Sequence, residues 1–211
     1  MAQVRCSLLA WLLPVAAALG QEAPAAPDVD ALLRRLARPA PASTAFVEVN
    51  FSPVLSRPLI HSGHMDYNGP DWLARTVEKP YSEHTEIHGD QVSLTRGTGK
   101  PRTFSLQHAP ELKTLLSSFS ALLGGNRAQL EQSFSLTVSG DEAHWSMVLT
   151  PRDSRVTQRV SRITVNGTAG TPRCMSTAAP DGSLTVMLMG EAAQTTLASD
   201  IDRAGLDKVC H

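Results

Sequence analysis

The apolar positions of this chain change period several times, and each change marks an element. Val29, Leu32, Leu33 and Leu36 follow Asp28 at i, i+3, i+4, i+7 spacing, and Pro39 interrupts the pattern. This predicts a short amphipathic helix with Asp28 as its N-cap. From Ser43 the period drops to two. Ala45, Val47, Val49 and Phe51 alternate with Thr44, Glu48 and Asn50, although Phe46 breaks the polar face. Short strands are predicted next over Pro58–Asn68, Leu73–Glu78, Ser82–His88, Gln91–Arg96 and Arg102–Leu106. Their separators, Asn68-Gly69-Pro70-Asp71, Lys79-Pro80, Gly89-Asp90 and Gly97-Thr98-Gly99, are turn chemistry. Short strands joined by short turns form antiparallel hairpins, not parallel crossovers.

A helical period then interrupts the strands. Pro110, harmless in a first turn because its missing N–H would go unused there, opens a stripe of Leu112, Leu115, Leu116, Phe119, Leu122 and Leu123. Lys113, Thr114, Ser117, Ser118 and Ser120 face away, and Gly124-Gly125 ends the helix. Asn126 can cap a second short helix, Arg127–Gln132. Alternation resumes with Phe134, Leu136 and Val138, and after Gly140-Asp141 with Ala143, Trp145, Met147 and Leu149. A polar excursion follows Thr150-Pro151-Arg152-Asp153. Ile163 and Val165 then mark a strand ended by Asn166-Gly167, and Pro180-Asp181-Gly182 joins Arg173–Ala178 to Ser183–Met189 as a hairpin. The tail from Glu191 is weakly patterned. The sum is an α+β arrangement, one long antiparallel sheet of roughly ten strands with a few inserted helices. Strand twist makes such a sheet curl, and the helix after Pro110 is the element to cover its concave face.

The first 20 residues carry an address. Arg5 precedes an almost unbroken apolar run, Leu8 to Leu19, and Ala18-Leu19-Gly20 offers small residues to a signal peptidase. The run is too short to span a bilayer comfortably, and Cys6 lies before it rather than just after the cut, which argues against a lipid anchor. Residues 1–20 are thus read as a signal peptide and 21–27 (QEAPAAP) as a linker. Residues 28–190 form the folded domain and 191–211 a C-terminal tail. A retained membrane anchor is the alternative reading of the leader. With Cys6 removed, Cys174 and Cys210 remain in an oxidising compartment, which reads as one disulfide closing a loop of 36 residues. Such a loop is worth ~3–4 kcal/mol in the chain-entropy account. Two unpaired thiols are the alternative.

Candidate chemistry is sparse. A net charge of −1 gives no sign of a nucleic-acid partner or of docking to anionic lipid. His61 and His64 fall on opposite faces of a strand, and His84 and His88 lie about 13 Å apart along another, so neither pair suits a metal. There is no G-x-S-x-G, no H-E-x-x-H and no phosphate loop, and Gly97-Thr98-Gly99-Lys100 leads into a strand, not a helix. Asp66, Asp71 and Glu78 are scattered carboxylates, and Asn166-Gly167-Thr168 matches a glycosylation sequon by a pattern common by chance. The remaining feature is apolar. Met65, Tyr67, Trp72, Leu73, Phe104, Trp145, Met147, Met187 and Met189 join the leucine helix as candidates for one surface. They form either a closed core or a pocket lined by flexible methionines and leucines.

The order of these elements resembles the LolA-like family of periplasmic carriers of outer-membrane lipoproteins. The resemblance runs from about Ala31 to Met189. It rests on the first helix, Ala45-Phe46-Val47-Glu48-Val49, Gly63-His64-Met65-Asp66-Tyr67 leading into Pro70-Asp71-Trp72-Leu73, the Lys79-Pro80 step, and a lid-like helix before Phe134–Val138 and Trp145–Pro151. Leu112–Asp153 looks like the divergent branch found beside bacterial lipid-like pigment and acyltransferase gene clusters.

The resemblance implies an incomplete β-barrel with a helical lid over an apolar cavity that holds acyl chains. The lining would be Met65, Tyr67, Trp72, Leu73, Phe104, Leu112, Leu115, Leu116, Phe119, Leu122, Leu123, Trp145 and Met147. It implies no enzyme and no cofactor. The expected partners are an acyl-bearing lipoprotein or lipid cargo, an inner-membrane donor and an outer-membrane acceptor, served by a monomer. The lipoprotein carriers have a basic residue before the proline at Pro70, where this chain has Gly69; Arg75 is the candidate substitute. A periplasmic sensor module is the alternative function, and an enzyme a weaker one. Intact mass of the exported protein is expected to correspond to a chain starting at Gln21; a product retaining Met1–Gly20 would refute the leader.

Overall fold

A computed structural model describes residues 27–108, 113, 116 and 120–211. The leader, most of the linker and, from the leucine stripe, Leu112, Leu115 and Phe119 lie outside the described residues. Helix α1 is Val29–Leu36, and the Asp28 carboxylate accepts the Ala31 N–H at 2.8 Å, as an N-cap should. Eleven strands follow: β1 Ala42–Phe51, β2 Leu59–Tyr67, β3 Trp72–Lys79, β4 Glu83–His88, β5 Gln91–Arg96, β6 Arg102–Ser105, β7 Phe134–Gly140, β8 Trp145–Pro151, β9 Arg162–Thr168, β10 Thr171–Ala178 and β11 Leu184–Met189. Lys113, Leu116 and residues 120–123 are helical, in the stretch where the leucine stripe predicts a helix. Three further helices are α2 Arg127–Ser133, α3 Ser154–Thr157 and α4 Arg203–Cys210.

All eleven strands form one antiparallel sheet in the order β6-β5-β4-β3-β2-β1-β11-β10-β9-β8-β7, open at both edges. The α+β class is therefore correct. Alternation assigns the two faces. Phe46 pairs with Gly63 and Met189, Met65 with Arg75, Met187 with Met175, and Met175 with Val165. Following these pairs puts Phe46, Met65, Leu73, Arg75, Met147, Leu149, Val165, Met175 and Met187 on one inner face. Val47, Val49, Cys174, Val186 and Leu188 lie on the outer face.

Each face is covered where it is apolar. Leu32, Leu33 and Leu36 of α1 pack on the inner face with Ala121, Leu122, Leu130, Phe134, Met147 and Leu149. On the outer face the C-terminal segment lays Leu206 and Cys210 over Val49, Val186 and Leu188, and Cys174 is bonded to Cys210 with a Cα separation of 5.5 Å. The weak pattern after Glu191 thus hides helix α4, whose short apolar set is completed by the disulfide. A second correction concerns Asn166-Gly167. The strand runs through it to Thr168, and the turn falls at Ala169-Gly170. Gly167 is needed inside the strand because a Cβ there would run into the Trp145 ring and the Thr171 carbonyl oxygen. Asn166 is buried with its amide against His211, at 3.1 Å. Joint replacement of Cys174 and Cys210 by alanine is expected to cost about 3–4 kcal/mol of unfolding free energy. This is measured as a lower urea midpoint under non-reducing conditions; unchanged midpoints would show that α4 docks without the staple.

Candidate ligand cavity

The inner face is curled enough to enclose space. Leu73 of β3 and Phe134 of β7 stand seven strand spacings apart in the sheet order, about 33 Å if the sheet were flat. Both line one cavity of about 230 Å³. Among the described residues its wall is Met65, Leu73, Phe134, Leu149, Ile163, Val165, Met175 and Thr177 from the strands, with Leu116, Leu122 and Val160. Thr177 carries the lone side-chain hydroxyl in this lining. A second cavity of about 210 Å³ shares Met65 and Leu73. It extends past Tyr67, Leu123 and Met189 to the polar rim of Arg38, Ser43, Thr44 and Asp66. An outer cleft of about 680 Å³ touches Tyr67, Leu73 and Leu116 and opens among Asp71, Asp90 and Lys113.

The structure brings together some of the sequence-predicted site residues and separates others. Met65, Tyr67, Leu73, Leu116, Leu122 and Leu123 surround these spaces. Trp72 does not. It is adjacent to Leu73 in β3, so period two turns it to the outer face, where its indole N–H donates to Glu86 Oε1 at 3.0 Å. Trp145 and Met147 share the inner face but lie 3% and 0% exposed in the cluster beneath α1, lining neither of the two apolar cavities. The Trp145 indole N–H donates to the Ala169 carbonyl at 2.8 Å. Phe104 has inner-face register through Val92 and Ile87, yet edge strand β6 carries it beyond the cavity, where it is 44% exposed. The opposing wall expected from Trp145 and Met147 is instead Phe134, Leu149, Ile163, Val165 and Met175. Their signal was in the sequence: they share the alternation phase of Met147 across β7–β10.

Arg75 also projects on the inner face. Its guanidinium lies 4.8 Å from the Phe46 ring centroid and pairs with Glu48 at 3.1 Å and Glu83 at 3.8 Å, while Arg96 pairs with Glu83 at 2.6 Å. Among the described residues, these partners of Arg75 all lie in the sheet. The helical segment has a different tether. Lys113 Nζ stands 2.7 Å from Asp90 Oδ1 in the β4–β5 turn. The hydrogen bond from Lys113, helped by one from Gln107, pulls the Asp90 carboxyl below its ordinary pKa. At the other end Arg38 N–H donates to the Leu123 carbonyl at 2.8 Å. Among the described residues, no group of three or more His, Cys, Asp or Glu is arranged to hold a metal ion.

Because the folded pKa of Asp90 is depressed, its stabilising contribution is present above the unfolded carboxylate pKa and fades as pH falls through the folded value. Carboxyl NMR titration of Lys113→Met is expected to return the Asp90 midpoint towards the ordinary aspartate range; an unmoved midpoint would exclude Lys113 as its cause.

The family described as outer membrane lipoprotein carrier protein LolA-like matches residues 21–211. No curated protein matches the chain in sequence. Solved structures with a similar fold include a LolA superfamily protein from Nitrosomonas europaea, 10% identical, covering 87% of this chain and 97% of that one with a TM-score of 0.41. An outer membrane lipoprotein-sorting protein domain from Vibrio parahaemolyticus is 8% identical, with the same coverages and TM-score, 87%, 97% and 0.41. LprF from Mycobacterium bovis is 12% identical over 82% of this chain and 97% of its own, with a TM-score of 0.38. At these identities and scores the structural likenesses carry no functional argument, and the family assignment stands on the sequence match. With 191 of its 211 residues inside that match, the chain belongs to the LolA-like family of outer membrane lipoprotein carrier proteins.

Proposed function

We propose that this protein is a periplasmic carrier that holds the acyl chains of a lipoprotein or lipid cargo in its inner cavity and shuttles them towards the outer membrane. The observation that carries the reading is the lining. Met65, Leu73, Leu116, Leu122, Phe134, Leu149, Val165 and Met175 converge from the sheet and its cover, and among the described residues Thr177 alone supplies a side-chain hydroxyl. Such a surface recognises area and shape rather than polar groups. The energetic case is direct. Each methylene removed from water is worth ~0.8 kcal/mol, so a fourteen-carbon chain exposed in transit costs on the order of 11 kcal/mol. No covalent step is needed to remove that cost, only an apolar space that can be filled and emptied. A leader directing the chain out of the cytoplasm, a disulfide-bonded tail and membership in a carrier family are consistent with this reading.

The test separates a ligand cavity from an ordinary core. Leu116 is half-buried and touches both the inner cavity and the outer cleft. If this position borders a ligand space, Leu116→Asp leaves the melting temperature within a few degrees, because the carboxylate can turn to water, while binding of a fluorescent fatty-acyl probe falls at least about tenfold. Mass spectrometry of lipid co-purifying with the unaltered protein gives the cargo class. A folded Leu116→Asp variant that binds the probe normally would remove this position from the mechanism. Loss of fold would mark Leu116 as packing.

A further inference from the structure

The two ends of the sheet differ in a way the whole-chain charge conceals. The β2–β3, β4–β5 and β7–β8 turns at the cavity-rim end carry Asp71, Asp90, Asp141 and Glu142. At the opposite end, three turns that are adjacent in the sheet order, Ser52–Pro58, Pro80–Ser82 and Gly97–Pro101, contain no carboxylate, while the neighbouring β10–β11 turn carries Asp181 and Glu78 stands beside Lys79. The three turns and the strand ends beside them carry Arg57, Lys79, Lys100 and Arg102, all exposed and, among the described residues, without an acidic partner. Lys100 and Arg102, with Arg96, line a cleft of about 380 Å³.

The same end collects exposed apolar side chains. Val54 is 88% exposed, Leu55 41%, Leu59 50% and Tyr81 46%. The turns are tied together: Gly97 N–H donates to the Ser82 carbonyl at 2.8 Å, and the Tyr81 ring meets His61 of β2 edge-on at 5.4 Å. An aliphatic pair at the apex of a loop, flanked by free cations, gives up apolar area to water for no return within the chain. A protruding aliphatic tip flanked by cations matches a deformable phase that offers hydrocarbon beneath a layer of negative charge.

We propose that this end of the sheet docks the protein onto an anionic phospholipid surface, with Val54 and Leu55 entering the interface and Arg57, Lys79, Lys100 and Arg102 held among the phosphates. Among the described residues no helix is long and apolar enough to cross a membrane. The proposed contact is peripheral and reversible, made through turns, and independent of what the cavity holds.

The experiment is co-sedimentation of the purified, processed chain with phosphatidylethanolamine–phosphatidylglycerol vesicles and with phosphatidylcholine vesicles. Binding is expected to the anionic vesicles, to weaken roughly tenfold or more in high salt, and to be near background on phosphatidylcholine. Val54→Ser/Leu55→Ser and Arg57→Gln/Lys100→Gln each alter exposed side chains, so their melting temperatures and fatty-acyl probe binding should match the unaltered protein while vesicle binding drops at least about tenfold. Equal binding to both vesicle types, or undiminished binding by either variant, would overturn the proposal. So would displacement by millimolar inorganic phosphate at constant ionic strength, which would mark an anion cleft without a membrane role. Loss of probe binding with vesicle binding intact would count against the cavity reading and leave the docking surface standing.

Discussion

One strand pairing makes this molecule a single object. Every neighbouring pair in the sheet joins strands consecutive in sequence except β1 with β11, which runs from Phe46↔Met189 to Phe51↔Leu184. Without it the chain would be two meanders, β1–β6 and β7–β11, each with one apolar face and nothing to close against. With it, twist accumulates across eleven strands until Leu73 and Phe134 face one space. The pairing is also the costliest to form, because it closes a loop across most of the chain before any contact repays it. Its residues reflect that position. Phe46 is buried on the inner face and Val49 on the outer; in β11, Met187 is buried inward while Val186 and Leu188 are buried outward. A central strand covered on both faces cannot keep a clean polar side.

That constraint explains what the sequence made legible. Hairpin turns and alternation located nearly every strand to within a residue or two, because those signals are local. Phe46, which spoils the alternation of β1, was the mark of a doubly covered strand, and its meaning depended on α4, more than 150 residues away. Helix α4 itself was hidden because a short helix stapled by Cys174–Cys210 and capped by Asp202 needs few apolar residues of its own. The site was legible by face and obscure by depth. Period two decides that Trp72 and Leu73 point opposite ways. It does not say that, within the cluster beneath α1, Trp145 and Met147 are closed off while Leu149 and Val165 also border open space. Which stretch of an apolar face is core and which is cavity depends on what sits above it, and that is a tertiary fact.

The inner face is not apolar throughout. Met65, on the cavity wall, is register partner to Arg75, and further along β1, β3, β4 and β5 the inner face carries Glu48, Arg75, Glu83 and Arg96. The largely buried carboxylates of Glu48 and Glu83 persist because each is paired, and the guanidinium of Arg75 also rests on the Phe46 ring. Removing one member would strand another, so the cluster is a fixed boundary: it divides an apolar region suited to hydrocarbon from a polar flank that hydrocarbon would not wet.

What lies on the apolar side of that boundary is unusual in kind as well as extent. Met65, Met175, Met187 and Met189 gather on the inner faces of β2, β10 and β11, four of the six methionines in the chain. Unbranched thioether side chains reshape at little rotamer cost and make no directional demand. β-Branched Val160, Ile163, Val165 and Thr177 hold one part of the cavity wall stiffly, while Met65 and Met175 supply side chains that can adapt to an occupant. For the proposed carrier role this matters in both directions. Directional contacts would deepen binding to one cargo but would each have to be broken at delivery. Burial of area alone is returned in full once the chain reaches another apolar phase, since the hydrocarbon leaves one water-free environment for another and no polar partner is left behind unpaired.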